Sequence, residues 1–96
     1  MHVGICRIRL HLPENHDLKG KRQVVRPLVE RVRNRFNVAV AEVDDQDLWQ
    51  SAVLGIVAVG NESAHINEVL SHVVEFIERG AQDAVVVDYD IELMVV

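Results

Sequence analysis

Seven of the ten Lys and Arg residues in this 96-residue chain fall between residues 19 and 36, in the segment KGKRQVVRPLVERVRNRF. The chain as a whole is acidic, with a formal net charge of −5. Residues 1–36 carry nine basic and three acidic residues, whereas residues 37–96 carry one basic and twelve acidic ones. Clustered ammonium and guanidinium groups bind phosphates and other anions. The pattern therefore predicts a dipolar molecule with one cationic surface.

The cations at the start of this segment are the strongest candidates for binding an anion. Apolar residues at helical spacing would place Lys19, Lys21 and Arg22 near the N-terminus of a helix. The helix dipole disfavours cations there by about 0.3–1 kcal/mol, while the free N–H groups of the first turn attract anions. With Arg26, these residues are predicted to contact phosphates of RNA. The alternative is a solvated face, partly neutralised by the carboxylates of residues 1–36.

The cations at the end of the segment have a sufficient structural explanation. Arg31, Arg33 and Arg35 would lie in the last turns of the helix, where the dipole favours positive charge. At 100° per residue, Arg33 falls on the same flank as Arg22 and remains a weaker binding candidate. Arg31 and Arg35 fall on the opposite flank.

Trp49 is the other weaker candidate. It begins the third predicted strand, where it would either pack across the strand end or anchor a ligand or partner.

No familiar catalytic pattern is present. The chain lacks a Gly-rich phosphate loop and a Ser/His/Asp arrangement, and its single cysteine, Cys6, is predicted to be a small core residue. Asp44, Asp45 and Asp47 could bind Mg²⁺, but the same spacing is typical of an acidic turn. We predict a non-enzymatic protein with no catalytic residue, metal or cofactor. A carboxylate metal-dependent enzyme is the less favoured alternative.

The elements that position these residues begin with a strand and a helix. Residues 2–12 alternate, with Cys6 and Ile8 on the side opposite Arg7, which indicates a half-buried strand. A helix follows, with Asp17 as its predicted N-cap. Pro27 predicts either a kink near residues 23–27 or a helix that starts late, with Pro27 in its first turn.

Two more strands, a second helix and a last strand follow. The strands are predicted at residues 37–44, 50–60 and 84–96. The second helix would be capped by Asn61 or Ser63 and end at Gly80. Its predicted core stripe is Ile66, Val69, Leu70, Val73 and Ile77. The residues of the last strand predicted to face inward are Val85, Val87, Tyr89, Ile91 and Leu93.

The order β-α-β-β-α-β predicts an α+β, ferredoxin-like fold over residues 1–96 as one domain. Its four-stranded antiparallel sheet would carry both helices on one face. The first and last strands would pair, so that Arg7, Arg9 and His11 oppose the carboxylates of residues 88–92 on the open face. The last strand would be an edge ending in apolar residues, which predicts a homodimer unless the tail completes the core.

Several segments resemble a known family. They are Leu18-Lys19-x-Lys21-Arg22, Arg33-Asn34-Arg35-Phe36-Asn37-Val38 and Ala41-Glu42-Val43-Asp44-x-Gln46-Asp47-Leu48-Trp49-Gln50. The chain resembles the YlxP-like family of small uncharacterised bacterial proteins, a domain-of-unknown-function family, over nearly its whole length. It departs from the family pattern at Gly20, Pro27 and Asp45. Genes of this family often lie beside those for translation-initiation factors and ribosome-binding factor A, so the resemblance implies a role near translation.

Together these features predict a module that contacts ribosomal RNA or a ribosomal particle. The alternative is a protein-interaction module whose basic helix docks an acidic partner. The first residues lack the pattern of a signal peptide, no apolar run reaches the ~20 residues of a membrane span, and cysteine is scarce. We therefore expect a cytoplasmic protein with no membrane partner.

Overall fold

The chain folds into six elements in the order β-α-β-β-α-β. The computed structural model describes every residue from Met1 to Val96. Strand order across the single sheet is β2-β3-β1-β4, and all three strand pairs are antiparallel. The predicted ferredoxin-like fold, with an open four-stranded sheet and two helices, is confirmed. The elements are β1 (His2–His11), α1 (Leu18–Arg35), β2 (Ala39–Asp44), β3 (Ser51–Gly60), α2 (Ser63–Gly80) and β4 (Val85–Val95).

The central strand β1 shows the predicted alternation. Cys6, Ile8 and Leu10 are fully buried, whereas Arg7 and Arg9 are exposed. Buried side chains point toward the helices because successive residues of a strand face opposite sides of the sheet. Burial raises the pKa of the Cys6 thiol to about 11, and the negative charge of Asp90 adds to the shift. Cys6 is thus a core residue, as predicted.

Helix α1 begins at the predicted cap and runs without interruption through Pro27. The Asp17 Oδ1 atom accepts a 2.6 Å hydrogen bond from the backbone N–H of Gly20. The alternative of a late start at Pro27 is therefore wrong. Val25, Leu28, Val29 and Val32 form the buried stripe, and Lys21, four residues before Val25, is buried with them.

Helix α2 ends at Gly80 as predicted, but its start differs from the prediction. Its N-cap is Glu62, which makes no side-chain capping bond, so neither predicted capping residue caps it. Gly80 is its last helical residue and has no positive φ, so the helix does not end in a left-handed glycine. Ile66, Leu70, Val73 and Ile77 are buried as predicted, but the fifth buried residue is Val74, not Val69.

A register shift in β4 means that some of the residues predicted to face the core do not do so. Arg9 is opposite Asp88, but Leu10 is opposite Val86, so one residue of β4 is bulged. Val86 therefore packs against the core, while Val85 and Val87, predicted to face inward, are each 57% exposed. Tyr89 is opposite Ile8 yet 52% exposed. The predicted edge position of β4 is confirmed, and the homodimer stays a prediction.

The open face of the sheet carries the arginine part of the predicted ladder of charges, whereas His11 is opposite Val85 and not a carboxylate. Arg7 Nη1 lies 3.3 Å from Asp90 Oδ2, and Arg9 Nε lies 3.9 Å from Asp88 Oδ1. Arg9 also pairs with Asp45 at 3.1 Å, a contact that was not predicted. The arginines of β1 thus have partners within the protein.

Gly20→Ala is expected to lower the free energy of unfolding, although alanine is the better helix former. An added Cβ would lie 2.2 Å from Asn15 Oδ1 and 2.9 Å from Asp17 Oδ1, and hydrogen bonds hold both side chains. Gly80→Ala is the matched control, because the nearest atom would be 3.8 Å away. It should raise the free energy of unfolding by up to about 1 kcal/mol. Urea denaturation compares the two, and a stabilised Gly20→Ala protein would contradict the packing of Asn15.

Candidate functional site

Three of the four main candidates form one surface on the first half of α1. Lys19, Arg22 and Arg26 are spaced i, i+3 and i+7, so they lie on one helical face. They line a shallow surface together with Gln23 and Pro27. All three are exposed, and none makes an ion pair or side-chain hydrogen bond within the protein. We call these three residues the α1 cationic strip.

The cations in the last turns of α1 do have partners. Arg31 donates to the carbonyl of Gly80, and Arg33 donates to Glu30 Oε1 at 2.7 Å and to the carbonyl of Val40. The guanidinium of Arg35 lies 5.4 Å from the centre of the Phe76 ring. These contacts give all three arginines partners within the protein, in addition to the favourable helix dipole from which their structural role was predicted.

The opposite flanks of α1 face different elements, as the helical wheel predicted. Arg33 borders a groove between α1 and β2, which it shares with Arg22 and Arg26. Arg31 and Arg35 instead reach toward α2. Arg33 differs from the strip residues because its guanidinium already donates to Glu30 and to the Val40 carbonyl.

Lys21 was predicted to bind phosphate with the strip, but the structure places it in the interior. Only 2% of the residue is exposed. Its Nζ donates to the carbonyls of Asp45 at 2.5 Å and Leu48 at 2.9 Å, with the carbonyl of Gln46 at 3.4 Å. An ammonium has three protons, and protein acceptors surround this one. Lys21 therefore has no free donor for an external anion.

Glu42 balances the charge of the buried ammonium. Its Oε2 lies 2.8 Å from Lys21 Nζ and accepts no hydrogen bond of good geometry, so this contact is an ion pair without an aligned hydrogen bond. The side chains are 3% and 24% exposed, respectively. Removing one partner of a buried pair costs about 3–5 kcal/mol, because the other charge stays behind without compensation.

The buried ammonium also fixes the β2–β3 loop, which comprises residues 45–50. Asp45 adopts a left-handed backbone conformation with φ of 61°, and its carboxylate accepts hydrogen bonds from Arg9 and from Ser51 Oγ. Asn15 Nδ2 donates to the carbonyls of Asp17 and Trp49. The long motif that resembles the YlxP-like family is thus the segment that wraps around Lys21.

The loop exposes its two large apolar side chains. Leu48 and Trp49 are 52% and 55% exposed. Trp49 was predicted to begin the third strand, but β3 starts at Ser51 and Trp49 lies in the loop before it, where it borders a hollow that His11 also lines. Trp49, the weaker candidate, remains available to a ligand or partner.

The acidic residues of the loop do not gather around a common point. The Asp45 carboxylate is bound to Arg9 and Ser51, and Asp44 Oδ1 accepts a hydrogen bond from the backbone of Asp45. No group of three or more His, Cys, Asp or Glu side chains has metal-binding geometry.

Neither helix combines the length and apolar composition needed to cross a lipid bilayer.

Comparison with known proteins gives a family and a fold. A family model described as "Protein of unknown function (DUF503)" matches residues 3–91. The "Uncharacterized protein YlxP" of Bacillus subtilis (strain 168) is 33% identical over 76 residues, which cover 79% of this chain and 83% of that protein. Among solved structures, the "De novo designed protein Foldit4" aligns with a TM-score of 0.55 and 11% identity, covering 100% of this chain and 99% of that chain. This last likeness is one of fold alone.

Lys21→Met is expected to lower the free energy of unfolding by about 3–5 kcal/mol, because it leaves Glu42 and the loop carbonyls without their partner. Lys19→Met is the matched control, since the same change on the exposed side of α1 should alter stability by no more than about 0.5 kcal/mol. Chemical denaturation measures both. Adding Glu42→Leu to Lys21→Met should recover part of the loss by removing the isolated charge. Equal stabilities of the two single variants would show that the buried contacts of Lys21 do not hold the loop.

Proposed function

The chain belongs to the DUF503 family of proteins of unknown function, as its resemblance to the YlxP-like proteins predicted, and we propose that it binds RNA through the α1 cationic strip. One observation carries this proposal. Lys19, Arg22 and Arg26 stand on one helical face with no partner in the protein. Lys19 lies in the first turn of α1, where the helix dipole disfavours a cation, and a bound phosphate would offset that cost. Arg22 and Arg26 lie further along the helix and add positive charge on the same face.

The charge of the rest of the molecule supports a local contact. The chain carries a net charge of −5, so it has no general attraction for polyanions. Six of the ten Lys and Arg side chains have partners inside the protein, which leaves Arg79 of α2 as the only unpaired cation outside the strip. An RNA would therefore be oriented with its backbone against the first half of α1.

Such a contact reads the phosphate backbone rather than the bases. Amines and guanidiniums position a nucleic acid through its phosphates, which carry no sequence information. The open sheet face does not offer the stacked aromatic residues of an RNA-recognition motif, because Arg7 and Arg9 occupy it with their carboxylate partners. Three phosphate contacts would give a modest affinity with a slope of log K against log salt of about −2 to −3.

The proposed role is binding, not catalysis. The family resemblance, with its genes beside those of translation factors, favours ribosomal RNA as the partner, either free or in a ribosomal particle. An acidic protein is the alternative occupant of the same strip. Association that survives nuclease treatment would identify that alternative.

Replacing Lys19, Arg22 and Arg26 together with Gln is expected to abolish most RNA binding. Each lost phosphate contact should flatten the salt dependence by about one unit of slope. Titration of labelled ribosomal RNA fragments at several salt concentrations measures both the affinity and the slope.

Arg79→Gln is the control for this experiment, because Arg79 is also a cation without a protein partner but lies on α2. It should leave the affinity and the slope unchanged. An unaltered affinity in the triple variant, or an equal loss in Arg79→Gln, would reject the strip as the binding surface.

A further inference from the structure

Resting on the proposed RNA binding, we propose that Trp49 is a stacking platform for an unpaired base, so that single-stranded RNA is the preferred ligand. The α1 cationic strip would hold the phosphates, and the indole would hold one base. The two parts come from different elements, α1 and the β2–β3 loop.

The backbone on both sides of Trp49 is fixed by three consecutive carbonyls. The carbonyl of Leu48 accepts from Lys21 Nζ, that of Trp49 from Asn15 Nδ2, and that of Gln50 from the backbone N–H of Leu12. These donors come from α1, from the segment before it and from the end of β1. Because all three carbonyls bind donors inside the protein, the loop backbone is held in place on both sides of Trp49. From this backbone the indole extends with more than half of the residue exposed.

The indole itself has no partner in the protein. Trp49 is 55% exposed, and its Nε1–H makes no hydrogen bond to the chain. It borders a hollow at the end of the sheet, together with Leu48 and His11. An aromatic side chain on a restrained backbone has only two χ angles to immobilise, so it loses little conformational freedom when a base stacks on it.

Asn15 joins this platform to the strip. Its single Nδ2 group donates to the carbonyl of Asp17, the N-cap of α1, at 2.7 Å and to the carbonyl of Trp49 at 2.5 Å. Lys19 follows that cap by two residues. Asn15 thus ties the backbone at Trp49 to the start of α1, two residues before the first cation of the strip.

Two titratable groups border the same hollow and restrict how the RNA lies. The carboxylate of Asp47 repels phosphates, so the backbone must pass on the Lys19 side. His11 Nδ1 lies 3.0 Å from the carbonyl of Gln50, which can only accept, so Nδ1 carries a proton. Its Nε2 has no partner in the protein and is free to bind the edge of a base. Asp45, close by in sequence, is neutralised by Arg9.

This arrangement of cations and indole should bind single-stranded RNA more tightly than duplex RNA. In a duplex the bases are already stacked and paired, so only the strip can bind it. In a single strand, stacking on an aromatic side chain contributes about 1–3 kcal/mol per base, which corresponds to about 5- to 150-fold in affinity. The indole accepts any base, so little sequence preference is expected.

Fluorescence titration tests the proposal directly, because Trp49 is the only tryptophan of the chain. Oligouridine is expected to quench its emission at saturation, whereas a matched RNA duplex should bind with little quenching. Trp49→Ala should weaken oligouridine binding, followed by anisotropy of labelled RNA, at least about fivefold and leave duplex binding unchanged. Trp49→Phe should retain most of the affinity. Leu48→Ala is the matched control, because Leu48 is equally exposed on the same loop.

The outcomes of these titrations distinguish a failure of base stacking on Trp49 from a failure of RNA binding by the α1 cationic strip. Binding that depends on the strip, with unchanged Trp49 emission and equal affinity in Trp49→Ala, overturns the platform and leaves the proposed RNA binding intact. A loss in Leu48→Ala as large as in Trp49→Ala overturns the platform as well, because it points to general apolar contact. No binding of either RNA form overturns both proposals.

Discussion

The buried ammonium of Lys21 is the interaction on which the functional end of this protein depends. A lysine charge can remain in the interior only if acceptors surround it and an opposite charge balances it. Here the carbonyls of Asp45 and Leu48 and the carboxylate of Glu42 meet those needs. Because the acceptors belong to β2 and the following loop, one side chain of α1 determines where both lie.

This constraint divides a cluster of like charges into groups with different roles. All the donors of Lys21 bind acceptors inside the protein. The arginines in the last turns of α1 bind backbone carbonyls, the Glu30 carboxylate and the Phe76 ring. The α1 cationic strip is what remains of the cluster without a partner in the protein. The loop that Lys21 holds is tied to the start of α1 through Asn15, which links the stability of this end of the fold to its proposed function.

Much of the fold could be predicted from periodicity alone. Only one buried face is possible for β1, given the alternation around Ile8, and for α1, given the helical spacing from Val25 onward. The order of the elements and the sheet topology could therefore be predicted. The β4 bulge could not be foreseen, since a one-residue shift depends on how the strand pairs with β1. Val74 replaces Val69 in the core because packing against the sheet, rather than spacing alone, selects the buried edge of α2.

The candidate site was predictable only in part. The helical wheel separated Arg22 and Arg26 from Arg31. Which of these cations have partners within the protein depends on the tertiary structure, so it could not be predicted from the sequence. Lys21 offered one overlooked signal, since it lies four residues before Val25 and so extends the apolar stripe. Because of this spacing, Lys21 lies on the buried face of α1 and not on the exposed face where its charge was expected to bind phosphate.

RNA binding by the α1 cationic strip and Trp49 is tested most directly by NMR chemical-shift mapping of the whole protein during titration with oligouridine. Binding there should shift the backbone amides around Lys19, Arg22 and Arg26 and the Trp49 indole N–H, and leave the amides around Arg79 unchanged. Shifts confined to the open face of the sheet or to α2, with the first half of α1 unchanged, would contradict binding at this surface.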